Sequence, residues 1–160
     1  MVAWEWMYRK AGCGMLVTLL LSVGAGSAWA SGPEVAALDA TALAQMEQRA
    51  EQADPRDQCY LYAEVVQGFT DLAGRQMAAG EDEQARVTLR HVDTIASKLH
   101  NAMAKDAKRL KNAEQTMNRA TRHLSDMVRV ASAEQRTNMQ STLQHLNAVH
   151  SELLATVFAK

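Results

Sequence analysis

After Gly80 the chain contains no glycine, and after Pro55 it contains no proline. Residues 81–160 therefore lack both of the side chains that most reliably interrupt a helix, which excludes a turn-rich sheet fold for half the protein. The familiar motifs of chemistry are missing too. There is no Gly-rich phosphate loop, no Cys-x-x-Cys, no His-Glu-x-x-His and no serine in a strand-to-helix elbow. Ser97, Ser125, Ser141 and Ser151 fall within helical pattern, where a hydroxyl bonds back to its own turn and is not presented as a nucleophile. These absences point away from an enzyme, and the sequence offers no catalytic, cofactor-binding or metal-binding residue set.

Tryptophan is confined to Trp4, Trp6 and Trp29, and the only cysteines are Cys13 and Cys59. Arg9 and Lys10 precede an apolar run from Met15 to Ala25, which is too short to span a bilayer and ends in Gly26, Ser27 and the small-x-small triplet Ala28-Trp29-Ala30. Residues 1–30 thus read as a signal peptide, and residues 31–160 as a single exported domain, periplasmic or extracellular, with no stable membrane anchor after cleavage. Cys13 lies before the apolar run, the wrong side for a lipidation site. Cleavage removes every tryptophan and leaves Cys59 alone, so the mature chain cannot form an internal disulfide. Cys59 is expected to be a small buried residue with a free thiol; the alternative is a cysteine that bridges two chains.

Helical periodicity fills the remainder. Asp39 can cap a first short helix with Ala42, Leu43, Met46 and Ala50 on one side. Asp54-Pro55 is a strong start signal, a capping acid before a proline at the first helical position. Cys59, Tyr62, Val66, Phe69 and Ala73 then form a stripe, widened by Leu61, Val65, Leu72 and Met77, up to a stop at Gly80. Gly68 and Gly74 inside this second helix suggest close approach of another backbone; the alternative is that the helix merely tolerates them.

From Glu81 onward, Ala85, Val92, Leu99, Asp106, Ala113, Ala120 and Met127 recur every seven residues, interleaved with Leu89, Ala96, Met103, Leu110, Met117, Leu124 and Ala131. This coiled-coil-like seam predicts one continuous helix, about 75 Å long at 1.5 Å per residue, crossing Asp106. Ser132-Ala133-Glu134-Gln135 fits a capping box and starts a fourth helix carrying Met139, Leu143, Leu146, His150, Leu153 and Val157. The expected fold is all-α, with elongated helical hairpins on one long central helix; the alternative is a compact four-helix bundle.

Residues 31–81 carry three arginines against nine acids, and residues 82–131 carry ten Lys and Arg against six acids. The acidic early helices can pack on the basic later ones, which leaves little free positive charge and argues against nucleic acid as a partner. Among His91, His100, His123, His145 and His150 no pair has i, i+4 spacing; His123 with Asp126 is the nearest approach to a metal pair, and His150 falls in an apolar stripe.

The segment Gly80-Glu81-Asp82-Glu83-Gln84-Ala85 leading to His100 is similar to the last hairpin of the b562-type cytochromes. That resemblance implies haem ligation by His100 with Met46 as the partner, although the family has two more helices upstream and this chain runs on well past His100. The same hairpin resembles a tetratricopeptide unit through Leu72, Ala73, Gly80 and Ala85, but one unit is not an array. Small helical envelope chaperones are similar in size and location, without their Leu-Thr-x-x-Gln signature. Asp54-Pro-Arg-Asp-Gln-Cys-Tyr-Leu-Tyr, Arg109-Leu-Lys-Asn-Ala-Glu and Leu153-Leu-Ala-Thr-Val-Phe resemble a group of small, uncharacterised, exported all-helical bacterial proteins.

The resulting expectation is an exported, soluble structural or protein-interaction protein that self-associates as a homodimer, because two antiparallel helices cannot bury so wide a seam. The alternatives are a periplasmic haem- or metal-binding bundle and a binding or chaperone-like module for an envelope partner. A stable monomer with an open groove would distinguish the last of these.

Overall fold

The computed structural model describes residues 33–103 and 107–159, with side chains from Ala40 onward in those ranges. The signal-peptide reading of residues 1–30, with Cys13 and the cleavage triplet, lies outside the described residues, and so does Asp106. The protein is all-α, with five helices among the described residues: α1 (Pro33–Gln52), α2 (Pro55–Ala78), α3 (Asp82–Asn101), α4 (Leu110–Val130) and α5 (Ala133–Phe158).

The first helix begins earlier than expected. Pro33 opens α1, so Asp39 lies inside it and is not its cap. Proline is well placed there because its ring presets a helical φ and its missing N–H would have had no partner. Leu43 and Ala50 are buried and Met46 half-buried, but Ala42 is exposed, a narrower contact than the periodicity suggested.

At α2 the local signals hold. The Asp54 carboxylate accepts from the Arg56 N–H at 2.9 Å, and Pro55 follows at the first helical position. Cys59, Tyr62, Val65, Val66, Phe69, Leu72 and Ala73 are all buried. Gly80 takes φ +77° just past the end, the left-handed turn that closes a helix without a Cβ clash.

The continuous central helix is not observed. α3 ends at Asn101 and α4 begins at Leu110, so the expected 75 Å span becomes two helices of about 30 Å each. No glycine or proline makes this break; tertiary contacts do. The Lys108 N–H donates to the Arg56 carbonyl at 2.7 Å, and the Lys108 ammonium lies 3.2 Å from Asp57, both in the first turn of α2. Arg109 adopts φ 58°, a left-handed conformation unusual for a residue with a Cβ, and its guanidinium sits 3.4 Å over the Tyr60 ring.

α2 packs against both α3 and α4, and α5 packs against the same two, while α1 lies on α2. The contacts close a cycle in which α3 and α4 each have two neighbours, α2 and α5. Arg119 reaches Gln67 and His123 reaches Asp71, so α4 runs parallel to α2. Thr142 and His145 meet Asp93, and His100 meets Glu152, so α5 runs parallel to α3. Ala85, Leu89, Val92, Ala96 and Leu99 on α3, and Leu110, Ala113, Met117, Ala120, Leu124 and Met127 on α4, are all buried within the chain. Truncating a fully buried leucine such as Leu99 or Leu124 to alanine costs about 2–5 kcal/mol.

The capping box at Ser132 and Gln135 forms as expected, with both reciprocal bonds present. The buried face of α5 is offset from the expected one, however. Thr142 and Val149 are buried with Met139, Leu146 and Leu153, whereas Leu143, His150 and Val157 are only partly covered. Thr142 tolerates burial because its hydroxyl donates to Asp93 Oδ2 at 2.9 Å.

Candidate functional site

The parallel pairing of α3 and α5 brings their N-terminal ends together. Gly80 turns the chain from α2 into α3, and the Ser132 box fixes where α5 starts, so the two helices open at the same end of the molecule. Between them, closed below by Met77 of α2, lies a cleft of about 540 Å³. Its floor is apolar, formed by Met77, Leu89 and Met139. Arg86, Arg90 and Asp93 line the α3 side, and Asn138, Ser141 and Thr142 line the α5 side.

The charges around this cleft are largely accounted for by the helices themselves. Asp82 and Glu83 stand in the first turn of α3 and Glu134 in the first turn of α5, where each complements a helix dipole. Arg86 Nε donates to Glu83 at 2.8 Å; this hydrogen bond holds the Glu83 carboxyl below its ordinary value. Asp93 accepts from Thr142 and pairs with His145 Nδ1 at 3.2 Å, tying the back of the cleft to α5. The arrangement suits reversible binding: a partly apolar floor for methylene or methyl groups and a rim of arginine, amide and hydroxyl groups that fix orientation. Methionines at two of the floor positions let that surface adapt in shape.

None of the five histidines lines the cleft. Each instead pairs with a carboxylate on another helix. His91 Nε2 lies 2.7 Å from Glu47 on α1, with its ring edge-on to Phe69 at 4.6 Å between centroids. His100 Nδ1 lies 2.6 Å from Glu152, His123 Nδ1 2.7 Å from Asp71, and His150 Nε2 3.0 Å from Glu114. With His145 on Asp93, the five pairs join α1 to α3, α2 to α4, α4 to α5, and α3 to α5 twice. Of the candidate pair His123 and Asp126, His123 pairs with Asp71 and Asp126 with Arg129 at 3.3 Å. Among the described residues no group of three His, Cys, Asp or Glu side chains is placed to hold a metal ion.

Ser97, Ser141 and Ser151 bond back to the carbonyls of Asp93, Asn138 and Asn147, as their helical positions imply. Cys59 is a free, fully buried thiol, and burial pushes its pKa up to about 11. Gly68 and Gly74 do admit close neighbours, but these are side chains and not a backbone: Leu43 at Gly68, and His123 with Met127 at Gly74.

The sequence alone did not single out the cleft. Its residues come from two helix starts and one helix end that share no local motif, and Asp93 is far in sequence from Thr142. Comparison of the chain with protein-family models, curated proteins and solved structures finds no match.

Proposed function

We propose that this protein is an exported, non-catalytic binding module, a compact helical bundle that engages an envelope partner through the cleft between α3 and α5. One observation carries this reading. The wide apolar seam, which by itself suggested self-association, is buried inside the single chain, while the cleft of about 540 Å³ remains open. Its mixed lining of Met77, Leu89, Met139, Arg90 and Asn138 supports recognition of a partner with both apolar and polar groups. Export is supported by the charged start, short apolar run and small-x-small triplet in residues 1–30.

A photo-crosslinking side chain tests this in the exported protein. Placed at Asn138 in the cleft, it should capture a discrete partner; placed at exposed Gln115 on α4, away from the cleft, it should not. Equal capture from both positions, or no capture of any other protein from Asn138, would contradict the reading.

A further inference from the structure

The heptad phase of α3 continues unchanged into α4, although the two helices are separate. Ala96 and Leu110 occupy the same heptad position, as do Leu99 and Ala113, and all four are buried. Two separate helices have no need to share a phase. A single continuous helix does, because its apolar side chains must stay on one line, which a seven-residue repeat keeps through a slight left-handed supercoil. The connection also lacks any residue that forbids helix. Its bend depends on Arg109 in a left-handed conformation, on the Lys108 N–H bonded to the Arg56 carbonyl, and on the Arg109 guanidinium over Tyr60.

From this we propose that the chain has a second assembly, a domain-swapped dimer in which α3 and α4 run on as one helix and each α4–α5 hairpin packs on the α1–α3 half of the other copy. The topology allows it without rearranging any pairing. α2 is antiparallel to α3 and parallel to α4, so α3 and α4 point in opposite directions within one chain and do not pack against each other. Straightening the connection carries α4 and α5 out of the end of their own helix cluster and into an identical cluster from a second copy. There the Asp71–His123, Asp93–Thr142 and His100–Glu152 contacts re-form between chains. The two clusters stack end to end along helices of about 75 Å.

Both apolar stripes then face their cluster axes because they lie on one face of one helix, the property that the shared phase provides. The partner copy also completes the cleft: Arg90 and Asp93 come from one chain, and Asn138 and Thr142 from the other. A hinge that stores unfavourable backbone geometry, with a uniformly helix-forming sequence, is the setting in which swapping costs least.

A disulfide that reports chain identity decides the matter. In a Cys59→Ala background, Asp71→Cys with His123→Cys places one thiol on α2 and one on the facing part of α4. The unfolded mature chain is refolded at low and at high concentration, the monomer and dimer fractions are separated by size, and each is oxidised. The monomer should close an intrachain disulfide, and the dimer should become covalent on a nonreducing gel. A dimer whose disulfides close within chains, or the absence of any dimer after concentrated refolding, would overturn the proposal. In chains without the added cysteines, Arg109→Gly relieves the left-handed strain and disfavours the through-helix, so it should lower the dimer share about fivefold. Tyr60→Ala removes the ring under Arg109 and should raise it. Equal dimer shares in these two variants would also overturn the swapped arrangement.

Discussion

Leu43 of α1 fills the space that a side chain at Gly68 of α2 would need: a Cβ there would meet Leu43 Cδ2 at 2.3 Å. At Gly74 the neighbours are the His123 ring at 3.1 Å and the Met127 sulfur at 3.5 Å, so a methyl group requires only a small shift. In both positions alanine gains about 1 kcal/mol of helix propensity. The two substitutions should therefore diverge. Gly68→Ala should loosen α1, seen as faster amide exchange in residues 43–52 with α2 to α5 protected. Gly74→Ala should leave α1 unchanged and weaken only the Asp71–His123 contact.

The attachment of α1 also depends on pH. Burial alone would raise the Glu47 carboxyl, but hydrogen bonds from Lys98 and His91, together with their charges, outweigh it and hold the carboxyl below its ordinary value. The Lys98 ammonium, 2.7 Å from Glu47 and also paired with Glu51, is raised in turn. A carboxyl lowered on folding contributes stability above its unfolded value, and that contribution is lost as pH falls through the folded value; a raised lysine contributes below its unfolded value and loses this only in strong alkali. Stability should thus fall below about pH 4.5. Glu47→Gln should flatten that acid limb and cost about 1 kcal/mol at neutral pH, a modest figure because Lys98 is partly solvent-screened. Urea titrations at pH 3.5 and 7 for both proteins measure it.

Cys59 should resist thiol reagents in the native state. Its pKa of about 11 leaves almost no thiolate at neutral pH, and its full burial blocks access. Labelling should follow the unfolding rate and rise sharply in denaturant, and nonreducing gels should show monomer. Cys59→Ser should destabilise by about 1–3 kcal/mol if its hydroxyl finds no partner.

Asp93 is the back wall of the cleft and a tie to α5. Asp93→Ala leaves the Thr142 hydroxyl without its acceptor in a buried position, and should lower stability by about 1–3 kcal/mol. A double-mutant cycle with Thr142→Val should recover a coupling of about 1 kcal/mol, whereas additive losses would mean that the two side chains act separately.

The parts of the fold legible in the sequence are those governed by neighbours in the chain. Asp54-Pro55 and Ser132–Gln135 act within one turn, and each starts a helix where its signal lies. Among the described residues the heptad seam marks buried positions, with Met103 only half-buried, because periodicity is local too. The break between Asn101 and Leu110, part of the compact-bundle alternative, has no local signal, since it is imposed by Arg56, Asp57 and Tyr60 about fifty residues earlier. For the same reason Leu143 was expected to be buried in place of Thr142: the acceptor that makes a buried threonine acceptable is Asp93 on another helix. The cleft has no sequence signature, as it is defined only when the starts of α3 and α5 meet.

α3 and α4 fold back against shared neighbours within one chain, and a distance between the far ends of these helices tests that arrangement directly. Spin labels at exposed Arg86 and Arg129 of the dilute monomer fraction should give a separation below about 30 Å, as expected for positions at the same end of a cluster with interaxial spacings of 8–10 Å. A dominant distance of about 65 Å in that fraction, the length of an uninterrupted helix between the two sites, would contradict it.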